Sequence, residues 1–503
     1  MTTNDSDIAQ LAKGGRTNVV GFVLRLVARL PFLAIAGRVY GAAALGRMAY
    51  AVLVVEFCAQ IASNGMRRGL ALQFARGDRR QVNEALNALI VSVFIAVPLI
   101  ILLRVFPHIM FPHSVVTDFD YWLPLVIIPI AWTDTLLAAL AFKFDVKATV
   151  RARSIVEPWT ISIAAFAFIY VPQLDGLVAA YALSMFAAFL TAAVSFFRTF
   201  GVPRGWRFEP IWLGRLAWSN LPLSAADAIE WGSRRIDLAI LGLFMVPEIV
   251  GIYYIAQQVA SLPQRLKNSF EPVLGPVIAR KLLTGDKAGV AAQISQVGFW
   301  ILAAQLGIAL TLSLTANGIM GLVGPKSEFV GGAIALTFLM IAEVLASPAV
   351  VSEAALIYIS AKKNLAISAL VLIFQAAVTL FIMMGSPHWG WSLSWQAAGP
   401  AMALAVSLLL GSLLKVLTVS RALGTRVRVG RWALLWAALA ATAVGMVFRQ
   451  LPEWIELCFG IPLILATYCF LIWRYGFAAD DRQLFTRASL PPAALDPEVA
   501  KQH

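Results

Sequence analysis

Segments of about twenty apolar residues follow one another along almost the entire chain, separated only by short polar loops. A helix of that length spans the hydrocarbon core of a bilayer, because each residue adds about 1.5 Å against a core of roughly 30 Å. Water-filled surroundings are excluded by composition. Of the 503 residues, 60% are hydrophobic and 13% charged, whereas soluble domains average roughly 45–50% and 25%. Candidate spans run approximately over residues 17–37, 46–66, 84–106, 119–142, 154–172, 176–197, 219–243, 249–273, 289–313, 329–352, 364–384, 397–417, 431–448 and 454–473. The pattern predicts an all-α polytopic membrane protein of about fourteen transmembrane helices.

The charge of +13 has no folded basic domain on which to lie, so nucleic acid is not an expected partner. Its arrangement instead gives orientation. With the N-terminus inside, thirty of the forty Lys and Arg residues fall in cytoplasmic segments, among them Arg67, Arg68, Arg80, Arg153, Arg204 and Arg207. The opposite face holds Arg38, Arg47, Arg104, Lys326 and Arg449. This excess of basic residues in cytoplasmic loops predicts a multi-pass protein of a bacterial inner membrane with both termini in the cytoplasm. A miscounted span would scramble the alternation from that point onward, so its persistence supports an even number. The polar start, Met1 to Arg16, does not read as a cleaved signal peptide. The polar segment after Trp473 reads as a disordered tail. Cys58, Cys458 and Cys469 lie in apolar runs without paired spacing, and are expected to be buried thiols. The four histidines are scattered, so no metal site is expected.

At an offset of 205 the segment RLPFLAIAG, Arg29 to Gly37, falls on RRIDLAILG, Arg234 to Gly242. Arg29 matches Arg234, Leu33 Leu238, Ala34 Ala239, Ile35 Ile240 and Gly37 Gly242; further on, Gly46 falls on Gly251 and Ala51 on Ala256. Spans 1 and 7 both start inside, so the halves read as parallel repeats, a plan that puts a substrate path between them. The expected organisation is two pseudo-symmetric six-helix bundles, residues 1–210 and 211–420, then two further spans over 421–475 and a tail over 476–503.

Charges inside spans are costly and therefore informative. Arg25 and Arg29 sit one turn apart on one face of span 1, and each costs about 2.5–3.5 kcal/mol against lipid. They must meet protein or water. In span 7, Asp227, Glu230, Arg234 and Asp237 fall on one stripe of a continuous helix, with Arg235 about 100° away. Such a stripe lines an aqueous cavity or an inter-helix seam, and a Glu230–Arg234 pair serves equally as a structural bridge or as a switch. Further acids are Glu56, Asp134, Glu157, Glu343 and Glu353. Of these, Glu157 stands out as a carrier of H⁺ or Na⁺, since Pro158 frees a backbone carbonyl one turn earlier. Glu56, Glu157, Asp227, Glu230 and Asp237 are the gating or cation-coupling candidates. No cofactor beyond such an ion is expected. Most tryptophans sit at span ends as an interfacial belt; Trp132, Trp159 and Trp231 lie deeper.

The segment DLAILGLFMVPEIVGIYYIAQQVASLP, Asp237 to Pro263, and the opening AIAGRVYGAAALGRMAYAVLVVEF resemble the polysaccharide-transporter branch of the multidrug/oligosaccharidyl-lipid/polysaccharide exporter superfamily. The resemblance implies a flippase that moves an undecaprenyl-diphosphate-linked oligosaccharide from the cytoplasmic to the periplasmic leaflet for capsule, exopolysaccharide or O-antigen assembly. It implies that cavity arginines meet the diphosphate, here Arg25, Arg29 and Arg234, with Arg235 beside them. Membrane lipids, a polysaccharide polymerase and a co-polymerase are the implied partners. In VVEFCAQIASNGMRRG the family's common Asp-Leu-Gly end to helix 2 is replaced, with Asn64 and Gly65 in its place. Two rivals remain. A cation-coupled multidrug exporter calls for a carboxylate-dominated cavity, and a membrane polymerase or ligase calls for a large outer loop or an acidic catalytic motif. The central arginines speak against the first and the short outer loops against the second.

Overall fold

In the computed structural model the described residues are 31–76, 80–171, 175–268, 278, 281–282, 284–478 and 481. Among them the chain is helical throughout and contains no strand. Every expected span has a helical counterpart. The first is seen from residue 31 as α1 (31–40), followed by α2 (Gly41–Ala62), α3 (Met66–Arg76), α4 (Gln81–Val105), α5 (Asp118–Phe142), α6 (146–168) and α7 (Gly176–Phe200). Span 7 is divided into α8 (Pro210–Ser233) and α9 (Ile236–Phe244), and α10 (Pro247–Asn268) follows. Then come α11 (Lys287–Leu314), α12 (Ala316–Val323), α13 (Ala333–Gly385), α14 (Leu393–Leu423), α15 (Trp432–Phe448) and α16 (Glu453–Gly476). Spans 10 and 11 merge in α13, whose helical course is interrupted at Ser360 (φ −160°, ψ 76°) beside Lys362 and Lys363.

The chain forms two compact units that interleave along the sequence. The first comprises residues 1–261, 316–342 and 365–410, and the second 262–315, 343–364 and 411–503. Lipid is as apolar as leucine, so burial from water does not drive helices together within a bilayer; close van der Waals packing of small residues does. In the first unit, Ala85, Ala88, Ala139, Ala148, Ala152 and Ala192 let α4, α5, α6 and α7 approach, with Met66, Leu70 and Phe74 of α3 filling the space between. In the second, Phe299 and Ala303 of α11 pack on Ala437 and Ala441 of α15 and on Tyr468 of α16. Large apolar side chains stand outward, such as Phe94, Ile163, Ile373, Phe381 and Trp436, as a lipid-facing surface requires. Cys58 is buried as expected, but Cys458 and Cys469 are exposed on α16. An apolar sequence environment does not tell a core-facing position from a lipid-facing one.

The repeat is visible in a contact. A Cβ on Gly46 would collide with the carbonyl of Pro247 and lie 2.5 Å from the Gly251 nitrogen, while one on Gly251 would lie 2.9 Å from both the Ala42 carbonyl carbon and the Gly46 nitrogen. The offset of 205 equates Ala42 with Pro247 and Gly46 with Gly251, so each helix meets the other through the same two positions. That reciprocity is what a two-fold relation between repeats produces. Only glycine permits α2 and α10 to cross this closely. Next to Gly46 on α2, Arg47 bridges Asp120 and Asp175, donates to the Val115 carbonyl at 3.1 Å and lies over the Phe111 ring at 4.3 Å.

Candidate functional site

The first polar cluster depends on the interruption of span 2. After Ala62 the chain turns through Asn64 (φ 48°) and Gly65 (φ 63°). Asn64 donates from Nδ2 to the Ala217 carbonyl at 3.1 Å. At Gly65 a Cβ would stand 2.7 Å from both Leu223 Cβ and the Ser224 nitrogen. The turn therefore needs a residue that tolerates left-handed backbone and has no side chain, and it lays α3 against α8. Long side chains on a helix point back toward its N-terminus, which carries the guanidiniums of Arg67 and Arg68 toward span 7.

Arg68 Nε lies 3.2 Å and Arg67 Nη2 3.9 Å from Asp227 Oδ1. Arg68 Nη2 donates to Glu230 Oε2 at 2.8 Å, and Arg234 Nη2 stands 3.7 Å from Glu230 Oε1. Asp227 is 2% exposed, yet neither carboxylate oxygen receives a well-directed hydrogen bond. Three guanidiniums thus face two carboxylates. The sequence places Arg67 and Arg68 in a cytoplasmic loop; the structure instead puts them on a helix, paired with acids of span 7. Basic residues at the end of a span look alike in sequence whether they leave the membrane or reach back into it, and the only local signal was Asn64-Gly65.

The expected single stripe on span 7 does not exist. Gly232 and Ser233 are weak helix formers, and the helix breaks into a turn at Arg234 and Arg235. Glu230 and Arg234 keep their one-turn relation, but Asp237 belongs to α9. There it is fully buried and accepts from Tyr253 Oη at 2.6 Å and from Gln257 Nε2 at 2.9 and 3.1 Å. Arg235 directly precedes α9.

A second cluster gathers in the first unit around Arg153, which the sequence also assigns to a loop. It lies instead in the π-helical turn Val150–Val156 that precedes Pro158, the widened geometry expected where a proline removes a helical donor. Arg153 pairs with Asp134 of α5 and, at 2.8 Å, with Glu157 one turn on. Tyr181 of α7 donates to Glu56 of α2 at 3.2 Å. Two carboxylates, Asp134 and Glu157, therefore share one guanidinium, an excess of acid suited to holding an added proton or monovalent cation. Elsewhere, in the second unit, Glu353 is paired with Lys415 at 2.9 Å and accepts from Asn364 at 3.1 Å.

Of the deep tryptophans, Trp132 donates to the Leu89 carbonyl at 3.0 Å and packs on Phe189. Trp231 lies against Phe57 with ring centroids 5.4 Å apart, and Trp159 is exposed. Arg25 and Arg29 fall outside the described residues.

No protein-family profile matches the chain, and no curated protein does. Solved structures do. A structure titled "Lipid II flippase MurJ, inward closed conformation" superimposes with a TM-score of 0.71 at 12% identity, covering 93% of this chain and 100% of that one. An inward-facing multidrug resistance MATE family transporter of the MOP superfamily gives 0.61 at 16% identity, with coverages of 80% and 95%. An outward-facing structure of such a transporter gives 0.57 at 14% identity, with coverages of 82% and 95%. The fold is the polytopic helical fold of these transporters.

Proposed function

We propose that this protein is a flippase for a lipid-linked oligosaccharide carried on undecaprenyl diphosphate. The observation that carries the reading is the excess of guanidinium over carboxylate where α3 meets α8. Arg67, Arg68 and Arg234 hold a diphosphate through charge-assisted hydrogen bonds. Without substrate they rest on Asp227 and Glu230, so binding exchanges one set of ion pairs for another instead of exposing bare charges. Arg25 and Arg29 of span 1 and Arg235 are further diphosphate contacts in this reading, the glycan occupies the wetter part of the chamber, and the lipid tail stays in the bilayer. The fold of a lipid II flippase, matched over 93% of this chain, supports a lipid-linked cargo.

An inside-negative potential drives an anionic headgroup outward by about 2.3 kcal/mol per charge per 100 mV. The acids Glu56, Asp134 and Glu157 bind the coupling H⁺ or Na⁺, and Asp237 acts as a gate held by Tyr253 and Gln257. The two bundles, residues 1–210 and 211–420, alternate access, with both termini in the cytoplasm of a bacterial inner membrane and a polymerase and co-polymerase as partners on the product side.

The experiment is surface polysaccharide export by Arg68→Ala, Arg234→Ala and their lysine counterparts at matched protein level. Export falls at least tenfold in the alanine variants and recovers in part with lysine, which keeps the charge and loses the fork geometry. Unchanged export in both alanine variants removes the diphosphate reading. A second reading, a cation-coupled drug exporter, draws on the carboxylate excess around Arg153. It requires drug resistance, and not export, to follow the Asp134 and Glu157 variants.

A further inference from the structure

Arg80, Arg204 and Arg207 converge with Asn83, Trp206 and Glu209 on an open cavity of about 660 Å³, apart from both clusters described above. We infer that this cavity is a binding site for the headgroup of an anionic glycerophospholipid of the cytoplasmic leaflet. It lies beside the start of α4, on the side the loop charges make cytoplasmic.

Three features carry the inference. Arg80, Arg204 and Arg207 bring three positive charges to a lining that contains one carboxylate, Glu209. The connecting loop is built rather than slack. Gly201 and Gly205 take left-handed backbone at φ 75° and 70°, Trp206 donates from Nε1 to Asn87 Oδ1 at 2.8 Å, and Asn83 Nδ2 reaches the Arg204 carbonyl at 3.5 Å. These bonds fix the loop along α4 and preset the spacing of Arg204 and Arg207. Finally, a file of aromatic rings leads away from the cavity. Trp206 and Phe208 are 6.3 Å apart and Phe208 and Phe94 6.4 Å, with Phe208 54% and Phe94 61% exposed.

A soluble phosphate has no use for that file, but a phospholipid does. Its phosphodiester sits among the arginines, as anionic lipids do at basic pockets beside spans, while its glycerol and upper acyl chains follow the rings along the apolar surface of α4. Trp206 bridges the two regions as an amphipathic ring at headgroup level.

The test uses the full-length protein purified in mild detergent and titrated with phosphatidylglycerol or phosphatidylethanolamine, with retained lipid read by native mass spectrometry. Wild type retains phosphatidylglycerol in preference to phosphatidylethanolamine. Arg204→Gln with Arg207→Gln weakens that retention roughly 30-fold, from the contribution of two arginines near a membrane surface, and Arg204→Lys with Arg207→Lys restores most of it. Phe208→Gln, at an exposed position whose loss does not threaten folding, also weakens retention, and inorganic pyrophosphate fails to displace the lipid at equal concentration. Equal retention of the two lipids by wild type, undiminished retention in the glutamine variant, or full displacement by pyrophosphate each overturns the proposal.

Discussion

Replacing Gly46 by alanine tests the crossing of α2 and α10 and the repeat it embodies. The new methyl would lie 2.5 Å from the Gly251 nitrogen, and an ordinary contact begins near 3.4 Å, so that nitrogen must retreat by about 0.9 Å and the Pro247 carbonyl by more. The obstacles are backbone atoms of a helix and cannot rotate aside. Overpacking of this kind costs about 1–3 kcal/mol. The mirror change, Gly251→Ala, meets the Ala42 carbonyl and the Gly46 nitrogen and is expected to cost a similar amount. Because both methyls force the same separation, the double variant should cost less than the sum of the singles, a coupling typical of groups in contact. Gly214, with no atom within 4 Å of its would-be Cβ, supplies the control, where alanine gains up to about 1 kcal/mol of helix propensity. Thermal unfolding of the purified protein in one detergent reads all four variants. If Gly46→Ala and Gly251→Ala unfold with Gly214→Ala, or if their effects add, the reciprocal crossing is not a stressed contact.

Arg153→Gln leaves Asp134 and Glu157 without their guanidinium; breaking a buried pair costs about 3–5 kcal/mol, discounted to about 2 for partial exposure, and thermal unfolding in detergent should show that loss. Arg68→Ala should lower stability by no more than about 1 kcal/mol, since the side chain is 49% exposed, while transport falls at least tenfold, which separates function from folding in one preparation. Just past the end of α16, burial alone would raise the Asp481 carboxyl, but hydrogen bonds from Arg431, the Ala478 amide, Gln296 and Trp300 outweigh it and hold the group below its usual range. A depressed acid stabilises the fold above its unfolded value, near 3.9, and that contribution disappears as pH falls through the lower folded value. Asp481→Asn should therefore unfold more easily than wild type at pH 7 and approach it at the acid end of a thermal series.

The spans are legible because bilayer thickness fixes helix length; of the 205-residue register, Arg29 lies outside the described residues, but the glycines it aligns can be compared. Gly46 and Gly251 were paired by that register, and the structure shows why both are glycine. Partner choice was hidden. Asp134 and Arg153 are joined by tertiary packing of α5 and α6, which no periodicity encodes. Charge bias assigns Arg67, Arg68 and Arg153 to loops because it carries no information on which way a long side chain turns. The break at Arg234 and Arg235 was missed because Gly232 and Ser233 weaken a helix without declaring an end.

The most direct measurement is movement of the cargo itself. The purified protein would be reconstituted in liposomes with undecaprenyl-diphosphate oligosaccharide labelled on its glycan, and outer-leaflet exposure followed by a membrane-impermeant quencher, with Arg68→Ala in parallel. Protein-dependent exchange between leaflets should accelerate under an imposed potential and be lost in the variant. Exchange equal to that of empty liposomes, or equal rates for wild type and Arg68→Ala, would contradict the flippase reading.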